Sequence, residues 1–74
     1  MKAIVWTKPG CTFCDMAKGL LKQKGIEYEE RNIGRGGTKE HLMEAVPTAR
    51  SLPQIFLDDK YIGNYEHLKS HFSQ

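Results

Sequence analysis

The stretch KPGCTFC, residues 8–14, decides the fold. One residue, Thr7, separates it from the apolar run AIVW at residues 3–6. Continuous apolar residues with β-branched and aromatic members are typical of a strand covered on both faces, so residues 3–6 are predicted to form the central strand. Residues 12–24 carry apolar side chains at helical spacing and predict a helix. Cys11 therefore lies at the N-terminus of a helix, and Cys14 lies one turn inside it.

A cysteine at the N-terminus of a helix is placed to act as a thiolate. The unpaired amides of the first turn and the positive end of the helix macrodipole lower the pKa of the Cys11 thiol below its ordinary value of about 8.5. Because nucleophilicity falls with the pKa, at a Brønsted coefficient of about 0.4–0.5, the larger thiolate fraction brings little net gain in attack. A sulfur of low pKa nevertheless departs readily from a mixed disulfide. The pattern predicts a redox site in which Cys11 is a nucleophile and, above all, a good leaving group.

Length, charge and cysteine content exclude several other classes of protein. The 74 residues predict one domain spanning residues 1–74, and the net charge of +2 is too small to predict a nucleic-acid or membrane partner. The two cysteines do not indicate a secreted disulfide scaffold, because a bridge between them would close almost no loop. The apolar runs are shorter than a signal-peptide core or a transmembrane helix, so a cytoplasmic location is expected.

The remainder of the chain predicts three further strands and two further helices. A polar strand suited to a sheet edge precedes a glycine-rich turn, which lacks the Lys-Ser/Thr pair of a phosphate-binding loop. A short helix ends before Pro47, and a hairpin leads to a last helix capped by Asn64. Gly19 lies inside the first helix, where close packing against a strand would explain it. The predicted ranges are 26–33 for the second strand, 34–37 for the turn, 38–46 for the short helix (N-cap Thr38; apolar Leu42, Met43 and Val46), 51–57 and 61–63 for the hairpin strands, and 64–74 for the last helix.

Four segments, in this order and spacing, carry a resemblance to a known family. They are KPGCTFC at 8–14, IEYEE at 26–30, RSLPQIF at 50–56 and YIGNY at 61–65, and together they extend over nearly the whole chain. The chain resembles a dithiol glutaredoxin, a member of the thioredoxin-fold superfamily. The resemblance implies an α/β fold with a four-stranded mixed sheet in the order 2-1-3-4 and about three helices packed on both faces.

The resemblance also implies an activity and its partners. Glutaredoxins are glutathione-dependent thiol–disulfide oxidoreductases that reduce protein disulfides and glutathione mixed disulfides. We therefore expect a monomeric enzyme that uses glutathione as co-substrate and has no tightly bound cofactor. Cys14 would be the resolving thiol, which attacks a disulfide at Cys11. The family's protein substrates include ribonucleotide reductase, although nothing in these residues identifies a particular protein substrate.

Seven residues are candidates for binding glutathione. A cation at Lys8, three residues before the first cysteine, favours the thiolate and suits a carboxylate, the alternative being a solvated lysine. The resemblance implies that Arg50 pairs with the glycine carboxylate, unless it is merely an exposed loop residue. It also implies that Pro53 is cis and leaves the backbone of Leu52 free to pair with the cysteinyl backbone of a substrate. The full set is Lys8, Phe13, Arg50, Leu52, Pro53, Tyr65 and Glu66.

The last segment and the residues between the cysteines depart in part from the family pattern. Phe13 stands where relatives carry tyrosine or phenylalanine and is expected either to flank the bound peptide or to pack internally. The backbone amides of Tyr65 and Glu66 are expected to hold the γ-glutamyl carboxylate, but Asn64 replaces a glycine and the Glu66 side chain opposes that carboxylate. Thr12 replaces a proline, so a redox potential slightly shifted from about −200 to −230 mV is expected.

Three alternative interpretations use the same cysteines. A thioredoxin-like redoxin recharged by a flavoprotein reductase would have the same fold and thiols. Relatives that lack the proline sometimes bind an iron–sulfur cluster with glutathione at a dimer interface. A zinc set of Cys11, Cys14, His67 and His71 is disfavoured, because its two pairs are much farther apart than the about 12–15 residues of a zinc finger. The two histidines are expected on the exposed margin of the last helix.

Overall fold

The computed structural model describes residues 1–34 and 39–73, which form four strands and three helices. Within these ranges, no helix has both the length and the apolar character needed to cross a membrane. The elements, in chain order, are β1 (Lys2–Thr7), α1 (Thr12–Gln23), β2 (Glu27–Asn32), α2 (Lys39–Ala45), β3 (Gln54–Leu57), β4 (Lys60–Gly63) and α3 (Tyr65–Phe72).

The strands form one mixed sheet in the order β2-β1-β3-β4. Strand β1 runs parallel to β2, as a right-handed β–α–β unit requires, and antiparallel to β3, which forms a hairpin with β4. The predicted α/β fold and strand order are therefore confirmed, with β1 in the interior and the polar strand β2 at an edge. Because β1 is central, its C-terminal end carries the loop with the first cysteine to the middle of one edge of the molecule.

The core lies where α1 and α3 pack on the sheet. Its fully buried members come from β1, α1, β3 and α3, and the partly buried Tyr65 and Phe72 of α3 pack against them. The apolar stripe predicted for the last helix is thus confirmed. The buried residues of this cluster are Ala3, Val5, Ala17, Leu21, Ile55, Leu57 and Leu68.

Local signals in the sequence account for the ends of the elements. Helix α1 ends at a C-cap residue, Lys24, and is followed by Gly25 at φ +70°, a left-handed conformation that glycine adopts without strain. The hairpin turns at Asp58 and Asp59, which both have positive φ, 49° and 67°, as a two-residue turn of the primed type requires.

Three expectations differ from the structure. Strand β3 begins at Gln54 instead of residue 51, because the residues around Pro53 bend and a proline has no N–H to offer a sheet. Met43 is 37 % exposed and not part of the core, although Leu42 and Val46 are buried. Gly19 does not pack against a strand, since a Cβ added there would meet no atom within 4 Å. The Thr38 cap and most of the glycine-rich turn fall on residues 35–38, outside the described residues.

Candidate active site

The two cysteines occupy the first turn of α1, as the sequence predicts. Cys11 is the N-cap residue, with φ −98° and ψ 106°, and its Sγ accepts a hydrogen bond from the backbone N–H of Cys14 at 3.1 Å. The two residues form a disulfide, and their Cα atoms are 5.2 Å apart. Cys11 is 9 % exposed and Cys14 is 1 % exposed. Cys11, which caps the helix, is therefore the more accessible of the two residues.

The segment before β3 lies against the first cysteine. The Leu52–Pro53 peptide bond is cis, which confirms the isomer that the resemblance implied. The backbone carbonyl oxygen of Leu52 lies 3.7 Å from Cys11 Sγ. A molecule bonded to that sulfur would therefore lie beside the main chain of Leu52.

An aromatic cleft, defined by Phe13, Leu52, Pro53, Tyr65 and Glu66 with Ser51 and Asn64, lies on one side of this segment. Its volume is about 240 Å³. The rings of Phe13 and Tyr65 are 6.0 Å apart between centroids, and Phe13 is 54 % exposed. This exposure excludes internal packing as the role of Phe13. Five of the seven predicted binding residues thus line one cleft.

A cationic groove shares Ser51 and Leu52 with the aromatic cleft and has a volume of about 450 Å³. It contains the two predicted basic residues, Lys8 and Arg50, which are both exposed. Ser51 and Leu52 line both the cleft and the groove, so the two depressions adjoin at the residue whose carbonyl oxygen lies 3.7 Å from Cys11 Sγ. The groove is defined by Lys8, Ile33, Lys39, Leu42, Met43, Ala49, Arg50, Ser51 and Leu52.

The N-terminus of α3 forms the far wall of the aromatic cleft. The Asn64 side chain accepts a hydrogen bond from the His67 N–H at 3.1 Å, and His67 Nδ1 accepts one from the Asn64 N–H at 3.3 Å. This reciprocal pair is a capping box in which a histidine takes the place of the usual glutamate or glutamine. The His67 ring packs over Gly63, which has φ +122°, so a side chain at that position would meet the ring.

A polar network lies behind the second cysteine. Thr7 Oγ1 donates to Glu30 Oε2 at 2.8 Å, and Lys18 Nζ donates to the same oxygen at 3.0 Å. The hydrogen bond that Lys18 donates to Glu30 raises the pKa of Lys18 above its ordinary value, and Asp15, 3.4 Å from the ammonium, adds to the effect. The residues Cys14, Lys18 and Glu30 line a common polar cavity. The network fixes β2 to α1 beside the cysteines.

The described residues contain no group of three or more histidine, cysteine or acidic side chains arranged to hold a metal ion. In the zinc set considered from the sequence, His67 is hydrogen-bonded in the α3 cap. Both histidines of α3 are exposed, as expected.

Some residues of the site were not identified from the sequence. Lys39 lines the groove from α2. In the sequence it is only a basic residue close to the glycine-rich turn, and no motif includes it. The role of His67 was missed because a histidine three residues after an N-cap is not the usual capping-box residue. Glu30 and Lys18 come from different elements, and no pattern within either element indicated that they meet.

Comparison with known proteins identifies the family. The glutaredoxin family model matches residues 3–62. The chain is 39 % identical over 69 residues to the hybrid peroxiredoxin hyPrx5 of Haemophilus influenzae, covering 93 % of this chain but only 28 % of that protein. It is 34 % identical over 64 residues to glutaredoxin 3 of Escherichia coli K12, covering 86 % of this chain and 77 % of the relative. A buckwheat glutaredoxin, solved in complex with glutathione, superimposes with a TM-score of 0.79 at 22 % identity, over 96 % of this chain and 68 % of that one.

These matches agree with the geometry of the site. The family match includes both cysteines and the proline segment, and the shared fold places them together at the start of α1. The chain belongs to the glutaredoxin family of thiol–disulfide oxidoreductases.

Proposed function

We propose that this chain is a glutathione-dependent oxidoreductase that reduces protein disulfides and glutathione mixed disulfides. The observation that carries the proposal is the position of Cys11 Sγ, which caps α1 and lies 3.7 Å from the carbonyl oxygen of Leu52, a residue that lines both the aromatic cleft and the cationic groove. A sulfur there is stabilised as a thiolate by the amide of Cys14 and by the helix macrodipole. The cleft and the groove offer binding surfaces for the molecule that it attacks.

The reaction with a glutathione mixed disulfide needs only the first cysteine. The Cys11 thiolate attacks the glutathione sulfur, and the substrate sulfur leaves as a thiolate that takes up a proton. The thiolate of a second glutathione then attacks the bound glutathione sulfur. Cys11 departs as a thiolate and glutathione disulfide is released. The low pKa of Cys11 favours this second step, because the better leaving group departs faster.

The reaction with a protein disulfide needs both cysteines. The Cys11 thiolate attacks one sulfur of the substrate disulfide, and the other sulfur leaves as a thiolate that takes up a proton. The Cys14 thiolate then attacks the sulfur of Cys11, and the substrate sulfur bonded to it leaves as a thiolate that also takes up a proton. The resulting Cys11–Cys14 disulfide is reduced by two glutathione molecules. The burial of Cys14, 1 % exposed, supports this division, since a shielded thiol attacks its neighbour in preference to external disulfides.

Glutathione has two carboxylates, and the two depressions beside Cys11 offer a partner for each. The proposed γ-glutamyl position is the aromatic cleft, which Tyr65 and Glu66 line and where the first-turn amides of α3 would bind the carboxylate. The proposed glycine position is the groove, where Lys8 and Arg50 supply positive charge. The cysteinyl backbone would pair with Leu52. The glutathione bound to the buckwheat relative supports this ligand.

The source of electrons is the most direct test of the proposal. The chain is assayed with a glutathionylated substrate and NADPH, once with glutathione and glutathione reductase and once with thioredoxin reductase. The proposal predicts turnover in the first assay and none in the second. Turnover with thioredoxin reductase alone would identify a thioredoxin-like redoxin with the same fold and thiols.

A further inference from the structure

The cationic groove extends beyond what glutathione requires. Its volume of about 450 Å³ is nearly twice the about 240 Å³ of the aromatic cleft. Glutathione has only one residue, glycine, after its cysteine, and Lys8 and Arg50 suffice for that carboxylate. The groove also includes residues of α2, among them Lys39 and the 37 % exposed Met43. A longer chain bound at Cys11 would place its next residues there.

The charged side chains that are described as lining the groove are all positive. Three cations border it, one from the loop after β1, one from α2 and one from the loop before β3: Lys8, Lys39 and Arg50. None of the described residues that line the groove is acidic, whereas the aromatic cleft has Glu66 as its charged side chain. Apolar residues, among them Leu42 and Met43, line the same groove. The groove therefore suits a segment with carboxylates and some apolar surface.

We propose that the cationic groove binds the residues that follow the reactive cysteine of a polypeptide substrate, and that it selects substrates with acidic residues at those positions. The proposal rests on the proposed function, because it assumes that a substrate cysteine is bonded to Cys11 with its C-terminal side toward Lys8 and Arg50. Lys39, which lines the groove from α2, is then a specificity residue for polypeptides.

The reaction in question is the reduction of a disulfide-linked peptide dimer by the dithiol form of the chain. The Cys11 thiolate attacks one peptide sulfur and releases the other peptide as a thiolate, which takes up a proton. The Cys14 thiolate then displaces the first peptide from Cys11. Two electrons pass from the chain to the dimer, which leaves the Cys11–Cys14 disulfide and two peptide thiols.

The experiment compares two peptide dimers of identical composition and charge. In one, two aspartates follow each cysteine, and in the other the same two aspartates precede it. The pre-reduced chain is mixed with each dimer without glutathione, and the released peptide thiol is measured after an acid quench. Because the net charges are equal, general attraction to a chain of net charge +2 does not distinguish the two dimers.

The proposal predicts that the dimer with aspartates after the cysteine reacts about threefold to tenfold faster at low salt. This range corresponds to one or two exposed ion pairs of about 0.2–1 kcal/mol each. The preference should shrink toward unity near 1 M salt, because screening weakens exposed pairs. Lys39→Gln should lower the preference at least about twofold. The matched variant Lys22→Gln, an exposed lysine of α1 that does not line the groove, should leave it unchanged.

Three results would overturn the proposal. Equal reduction rates for the two dimers would show that the groove does not discriminate between residues after the substrate cysteine. The proposed function would be unaffected. An equal loss of preference in the Lys22 and Lys39 variants would assign the effect to overall charge. If neither dimer were reduced, the proposed reduction of polypeptide disulfides would itself fail, and this inference with it.

Discussion

The helices α1 and α3 both begin at the aromatic cleft, but their N-termini are capped in different ways. At α1 the cap is the sulfur of Cys11, which accepts the Cys14 amide at 3.1 Å. At α3 the cap is the amide side chain of Asn64, and His67 closes the reciprocal bond. In the first helix the sulfur that accepts the backbone N–H is also the proposed reacting atom, so the backbone would stabilise its charged form. In the second helix the cap is structural, and the field of the helix remains for a ligand.

Because the two caps differ, substitutions at the two helix N-termini should have different effects. The largest effect on activity is expected at the two cysteines of α1. Cys14→Ser should reduce the dithiol-dependent reduction of a protein disulfide to background, because no resolving thiol remains. Turnover of a glutathione mixed disulfide should persist, since it needs only Cys11. The control is Cys11→Ser, which should abolish both activities in the same coupled assay. Loss of both activities in Cys14→Ser would contradict the separation of roles.

The next effect concerns the turn into α3. Gly63→Ala should destabilise the chain by at least about 2 kcal/mol, because a side chain is strained at φ +122° and an added Cβ would lie 2.8 Å from His67 Cγ. The matched control is Gly25→Ala at the end of α1, where φ is +70° but no atom lies within 4 Å, and about 1 kcal/mol is expected. Urea denaturation measures both variants. An equal loss of stability would show that the His67 ring does not constrain this turn.

A smaller effect separates the cap of α3 from its proposed ligand. Asn64→Ala should lower the free energy of unfolding by about 1 kcal/mol, because the His67 amide loses its acceptor. Asn64→Asp keeps an acceptor and should retain the stability, yet it should raise the KM for glutathione about twofold to fivefold by placing a negative charge near the γ-glutamyl carboxylate. Thermal unfolding and steady-state kinetics measure the two properties. A lower KM in Asn64→Asp would contradict the proposed position of that carboxylate.

The smallest effect lies in the middle of α1, away from its reactive first turn. Gly19→Ala should stabilise the chain by about 0.5–1 kcal/mol, since the position is exposed, helical and surrounded by open space. Activity should not change, because the chemistry is confined to the N-terminus of the helix. A destabilised Gly19→Ala protein would indicate a contact that the structure does not contain. Denaturation midpoints of the two proteins provide the measurement.

The fold was predictable because each element carries its own signal. The apolar run of β1, the polar edge strand β2 and the aspartate turn between β3 and β4 all have local causes that the structure retains. The exceptions depended on neighbours that are distant in sequence. Met43 has the same apolar character as Leu42, but only the packed fold decides which of the two faces inward.

The candidate site was predictable in part, for the same reason. Cys11 and Cys14 were placed correctly because a strand, a loop and a helix adjacent in sequence position them. The division of the predicted binding residues between a cleft and a groove depends on tertiary structure, which brings the Leu52 carbonyl oxygen to 3.7 Å from the sulfur of Cys11. The contributions of Lys39 and His67 are likewise products of tertiary packing and of a capping residue that sequence rules do not favour.

The central claim is that the N-terminus of α1 holds the first cysteine as a thiolate at neutral pH. The pH dependence of alkylation by iodoacetamide in the Cys14→Ser variant measures the pKa of Cys11 without interference from a second thiol. The expected midpoint is at least one unit below the ordinary cysteine pKa of about 8.5. A midpoint near 8 would show that the helix does not stabilise the thiolate, and it would remove the basis for Cys11 as a leaving group.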